Sequence, residues 1–351
     1  MFHRFTRTAG LCLSLLATLP AGLWAQSDDA TVGRPQVLWE YPLSDFSQDD
    51  YIRGVEELIQ RYEETSGELL VPGDKGRVGL KVYTHSGLGM STSKELVRAV
   101  AAAMLRRGYT RDDIWIVDEG EFQLRQSGFL PPLTQGGWRF EGMPVLALDT
   151  RQYYDDRWYY DSPLASRAPR LARRLSDGRL TEPDDMTDEE RRSYLPVPLL
   201  LEVDFWINLP VFLNAPALGV SGALANATVW NVDNAQRFLS SSATGPIAVA
   251  EMAAIPELQE SWIFSIASLE YYQFAGGPVF NANYSGTADA LWLSSNPVLM
   301  DYLMYLRINR HRENRGLPLI QPVPPMLAYC RSLGIGDERL DETKRIRLER
   351  R

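Results

Sequence analysis

Two hydrophobic periods share this chain. In "DDYIRGVEELIQRYEET", Ile52, Val55, Leu58 and Ile59 recur at helical spacing. The next run, "VGLKVYT" (78–84), is short and apolar, as a strand would be. It is followed by "TSKELVRAVAAAMLRRG", which predicts a helix opened by an S/T-x-x-E capping box of Thr92 and Glu95 and stopped by Gly108. Further strand-length runs follow at 113–119 ("DIWIVDE"), 144–149 ("PVLALD"), 203–211 ("VDFWINLPV") and 262–269 ("WIFSIASL"). The run "DALWLSS" then leads into "NPVLMDYLMYLRINRH", a strand followed by a helix with Pro297 in its first turn. Short apolar strands alternating with helices predict an α/β fold, a mainly parallel sheet with flanking helices.

The alternation breaks at 150–198. Charge and aromatics interleave there in "RQYYDDRWYYDSP" and "RAPRLARRLSDGRLTEPDDMTDEERR". We expect an insertion or lid within a single α/β domain spanning 26–335. Packed on itself, it is a cover; exposed, it offers a surface for a protein partner. The tail, 336–351, is too charged to bury and predicts a solvated helix or a disordered end.

The first 25 residues have the layout of a secretory signal peptide. A basic start (His3, Arg4, Arg7) precedes the mostly apolar stretch 9–24, then the small Ala25 and a polar run. The expectation is export, to the periplasm or beyond. Removing 1–25 takes two arginines and no acid, so the formal charge of −9 becomes −11. An acidic product of this kind argues against nucleic acid as a partner, and no later stretch has membrane-spanning length. Cys330 would be its lone thiol, which excludes an internal disulfide and argues against an iron–sulfur cluster. Other cofactors stay open.

Candidate chemistry centres on "THSGLGMST" (84–92). In open parallel sheets ligands bind beyond the carboxyl ends of the strands, where this loop is predicted to lie. Gly87 and Gly89 permit close backbone approach, and Thr84, Ser86, Ser91 and Thr92 add hydroxyl donors. The helix start contributes free N–H groups suited to an anion. Lys81 lies in the preceding strand. Neither the Walker spacing nor G-x-G-x-x-G is present. In "EVDFWINLP", alternation places Glu202, Asp204, Trp206 and Asn208 on one face, either bordering a cleft or half exposed at an edge. Asp118 and Asp204, both at strand ends, would then suit a divalent cation bound through oxygen.

"GLKVYTHSGLGMSTSKELVRAVAAAMLRRGYTRDDIWIVDEG" and "EVDFWINLPVFLNAPALGVSGALANA" together resemble the domain-of-unknown-function 362 family, over most of 75–315. Lys81, Thr92, Asp118, Asp204, Asn208, Pro210, Gly219, Ser221, Gly222, Asn226, Pro297 and Asp301 match its pattern. The chain departs from it where the family has K-T-H-P and a Lys before Asn. Here Leu213, Ala215 and Ala225 stand instead, and Asn296 replaces an Asp. The resemblance implies a divergent member, with Asn208, Ser221, Gly222 and Asn226 beside the loop as ligand-binding positions. The expected function is binding of a small anionic ligand, with or without a cation, at the strand C-terminal ends. The alternatives are a metal- or acid–base-dependent enzyme using Lys81, Asp118 and Asp204, and a non-catalytic interaction module.

Overall fold

The structure, a computed structural model, describes residues 34–150, 152–162, 191–339 and 344–349. The proposed signal peptide and the centre of the insertion, 163–190, lie outside the described residues.

In chain order, β1 (Leu38–Pro42) leads to α1 (Gln48–Ser66), β2 (Val78–Lys81), α2 (Lys94–Arg106), β3 (Ile114–Asp118) and α3 (Glu121–Gln126). Next come β4 (Arg139–Phe140), β5 (Met143–Ala147), β6 (Tyr154–Asp161), β7 (Arg192–Pro196), β8 (Phe205–Asn208), β9 (Phe212–Ala215) and β10 (Gly219–Ser221). Four short helices follow: α4 (Ala223–Ala227), α5 (Gln236–Leu239), α6 (Gly245–Ala253) and α7 (Pro256–Ser261). The chain then returns to strands with β11 (Trp262–Ser268), β12 (Tyr272–Gln273), β13 (Ser285–Gly286) and β14 (Ala290–Ser294), and closes with α8 (Pro297–Asn314), α9 (Pro325–Ser332) and β15 (Arg345–Arg347).

The main sheet runs β15-β1-β14-β11-β8-β2-β3-β5-β4. Its centre, β11-β8-β2-β3-β5, is parallel throughout, as the strand–helix alternation predicts. β14 pairs antiparallel on both sides, with β11 and with β1. One face packs on the apolar stripes of α1 and α2, the other on α4, α6 and α8 with β9, so the core forms two layers either side of the sheet.

Several expectations change. β8 is neither an edge nor a cleft wall: it sits between β2 and β11, buried on both faces. Glu202 and Asp204 precede it rather than alternating within it. The cap of α2 is Ser93, whose hydroxyl accepts from the Leu96 N–H, and not Thr92. The insertion begins and ends as an antiparallel pair, β6 with β7. The tail is neither a helix nor a free end: β15, its three residues still exposed, adds a parallel strand beside β1. What makes this possible is Glu40, a buried acid in β1: Arg345 reaches it at 2.6 Å and Arg347 at 3.7 Å.

Candidate functional site

β2, β3 and β8 run parallel and in register, with Lys81 level with Val117 and Asn208. Their carboxyl ends therefore finish together, and the polar residues at those ends meet under α4. Lys81, fully buried, donates from Nζ to Asp118 Oδ1 (2.7 Å), to the Val82 carbonyl (2.7 Å) and to Asn226 Oδ1 (3.2 Å). All three ammonium hydrogens are thus used. Asn226 Nδ2 donates to Asn208 Oδ1 at 2.7 Å, and Asn208 donates on to the Ala223 carbonyl and Ser265 Oγ. Asp118 also accepts from Thr84 Oγ1 (2.5 Å) and from the Glu119 N–H (2.9 Å). Burial would raise its carboxyl, but the Lys81 ammonium, with His85 and the donated hydrogen bonds, outweighs that and holds it below the usual carboxylate range.

On top of this buried pair sits a second one. His85 follows Thr84 in the turn closed by Gly87 N–H to the Thr84 carbonyl, where Gly87 takes φ +85°. Its ring lies against Trp230 with centroids 4.4 Å apart. The His85 side chain is 7% exposed and its Nε2 has no hydrogen-bond partner. That nitrogen faces Glu119 Oε2 at 3.4 Å and Asp118 Oδ1 at 3.7 Å. Burial pulls the His85 pKa down to about 4, against the attraction of Asp118. Burial, then the nearby charges of Asp118 and Asp149, push Glu119 up to about 8. At neutral pH the pair is therefore a neutral imidazole beside a protonated carboxyl: a base and an acid in one place. Glu119, at 22% side-chain exposure, is the member that reaches solvent.

The predicted loop is present, but its donors are engaged. Thr84 is held by Asp118, Ser86 donates to the Pro278 carbonyl, and Thr92 donates to the Leu209 carbonyl while accepting from the Tyr83 N–H. A Cβ on Gly89 would come within 2.2 Å of the Phe280 ring, so protein rather than ligand fills the space beside this glycine. Ser91 lines a hollow of about 20 Å³ with Ser93, Ser268 and Glu270, room for about one water. An anion floor is not what these residues build.

Ser221 accepts from Trp230 Nε1 at 3.0 Å, fixing the indole that backs His85. Gly222 is required by packing: a Cβ there would meet Asp301 Oδ1 at 2.4 Å and the Phe212 ring at 2.5 Å. Asp301 accepts the Ala223 and Leu224 N–H groups at the start of α4, and burial raises its carboxyl to about 7 in spite of them. The Asp-to-Asn departure is neutral in form, since Asn296 Oδ1 caps α8 by accepting from the Leu299 N–H, a role either residue fills. Leu213, Ala215 and Ala225 are buried in the apolar core, so packing has taken those positions over.

Asp204 does not belong to the site. It precedes β8 at the amino end, where it accepts the N–H groups of Gly73 (2.9 Å), Lys75 (2.8 Å) and Arg77 (3.1 Å). Arg77 lies four residues before Lys81, about 13 Å of strand. The pairing of Asp118 with Asp204 around a cation is therefore ruled out by geometry, as is a catalytic trio of Lys81, Asp118 and Asp204. Among the described residues no group of three or more His, Cys, Asp or Glu is arranged to hold a metal ion.

Taken alone in the sequence, His85 could be a ligand or a base but is not demanded by the family pattern, and neither it nor Glu119 is among the expected site residues. The available signal was position: both residues lie just past strand ends predicted to finish side by side.

No family model matches the chain, and no curated protein matches it. Among solved structures, the crystal structure of a Thermotoga maritima protein is similar over 71% of this chain and 56% of that one, at 11% identity and a TM-score of 0.33. The chain thus spans little more than half the length of that protein.

Proposed function

We propose that this chain binds a small neutral or cationic molecule at the carboxyl ends of β2 and β3 and moves a proton on it, with Glu119 as acid and His85 as base. The observation that carries the reading is the unpartnered Nε2 of His85, nine-tenths buried, 3.4 Å from a carboxyl that reaches solvent. Unpaired polar atoms in a protein interior cost free energy and are uncommon, and perturbed pKa values with opposite shifts in neighbours gather at catalytic sites. Lys81 and Asp118 serve as the buried ion pair that fixes Thr84 and the backbone of Glu119. The charge around the pair favours a neutral or cationic ligand over the anion expected from the loop. Asp118, Asp149 and Asp233 all act on Glu119, with Lys81 as the opposing cation. Membership of the domain-of-unknown-function 362 family and export through the N-terminal segment fit this reading and rest on the sequence alone.

The experiment is native mass spectrometry of the full chain purified from its own host, beside Glu119→Gln and His85→Gln. A small molecule should accompany the wild type and be depleted in both variants, while circular dichroism stays unchanged. A wild type that carries nothing, or variants that retain the same mass equally, would overturn the reading.

A further inference from the structure

A second feature lies away from the His85–Glu119 pair and is independent of it. The middle of α8 packs on β14 and, with the tail strand β15 beyond β1, leaves a hollow of about 300 Å³. Its lining is Trp292, Leu303, Leu306, Arg307, Arg310 and Arg345. Trp292 and Leu303 are buried and form an apolar floor. Three guanidinium groups stand around that floor, two from one face of α8 and one from a strand over thirty residues later.

Their charge is poorly balanced. Arg345 is matched by Glu40, which also takes a hydrogen bond from Trp292 Nε1 at 2.8 Å. Arg307 lies over the Trp292 ring, 5.8 Å from its centroid, with the Tyr272 hydroxyl also within its influence. Among the described residues neither Arg307 nor Arg310 has an acid within ion-pair distance. Cations near the end of a helix are ordinary, since they answer its dipole. That accounts for Arg310 on α8, but not for the meeting with Arg345 from the tail over a hollow floored by an indole. In a chain of formal charge −9, this is a local reversal of sign.

We propose that this hollow binds a small organic anion, a carboxylate or phosphate ester carrying an apolar body. The body would rest on Trp292 and Leu303, while the planar forks of Arg307 and Arg310 take the oxygens in pairs. A volume of about 300 Å³ is at the lower end of small-molecule sites and suits one ring with its anionic group.

Phenyl phosphate is the probe, titrated into the full chain by calorimetry at low ionic strength. The wild type should bind it more tightly than inorganic phosphate, and benzyl alcohol should not compete. The double variant Arg307→Gln/Arg310→Gln, which leaves the Glu40–Arg345 pair intact, should weaken binding at least tenfold, the loss expected for about one charge-assisted contact. Arg307→Lys/Arg310→Lys should fall between the two, because charge survives and the fork does not. Circular dichroism and the thermal midpoint serve as the folding control. The proposal fails if the wild type does not bind phenyl phosphate, or if the Gln variant binds it equally. It also fails if anionic phosphatidylglycerol vesicles bind the chain and phenyl phosphate does not displace them.

Discussion

Asp118 and Asp204 are the same chemical group at opposite ends of β3 and β8, the parallel strands that flank β2, and they do different things. Asp204 spends its charge on backbone: three N–H groups of the 73–77 turn converge on it, near the surface, and set the entry into β2. Asp118 is fully buried and spends its charge on side chains, Lys81 and Thr84, while lying 3.7 Å from His85. A carboxylate answered by amides is a structural clasp. A carboxylate answered by a buried ammonium and bordered by an imidazole and a second carboxyl adds to burial in raising Glu119 and opposes burial at His85. Position along the strand direction decides which of the two arises, because the carboxyl ends of β2, β3 and β8 finish under α4 and their amino ends do not.

The strongest way to break this contrast is Lys81→Met. It leaves Asp118 charged in a dry site with its main partner gone, and should cost about 3–5 kcal/mol in chemical denaturation. Adding Asp118→Asn should recover part of that loss. If Lys81→Met costs no more than a surface substitution, the ion pair is not the foundation described.

A sharper test uses pH. Glu119 has a folded pKa of about 8 against the ordinary 4.5 of a glutamate, so the folded state holds its proton more tightly and stability falls as pH rises between the two. His85, lowered from 6.5 to about 4, works oppositely: the unfolded state holds the proton more tightly, and stability falls as pH drops through that window. The two slopes oppose one another below pH 6.5, and above it Glu119 leads, joined by a declining share from Asp301, raised to about 7. The wild type should therefore lose roughly 2 kcal/mol between pH 6.5 and 8, and Glu119→Gln should remove most of that slope. Urea midpoints measured across this range decide it; an unchanged slope in the variant would refute the raised Glu119.

Asp204→Ala is expected to have the smallest effect, about 1 kcal/mol, because the three amides that lose a charged acceptor lie at an exposed turn that water reaches. The His85 ring titration, followed by NMR, should stay where it is in the wild type. A shift there would mean the two ends of the sheet are coupled, and the contrast would soften.

How much of this was legible beforehand follows from the kind of signal each feature leaves. α1 is apolar at helical spacing and β3 is a bounded apolar run, so both could be read from local pattern. β1 was not anticipated: five residues with a buried Glu40 in their middle look ambiguous until Arg345 and Trp292 are placed beside them. The tail misled for the same reason, since its exposed arginines dock as a strand where Glu40 waits in β1. Lys81, Asp118, Asn208 and Asn226 match the family pattern and do meet; Asp204 matches it as well and does not join them.

By itself the sequence determined the layered α/β architecture, because periods of 2 and 3.6 are written in local residue order and survive without knowledge of neighbours. Which strand ends share a site, which carboxylate clasps backbone and which tunes a histidine were decided only in three dimensions. Those outcomes depend on register between strands distant in sequence and on burial, and burial belongs to the whole packed chain rather than to any one stretch of it.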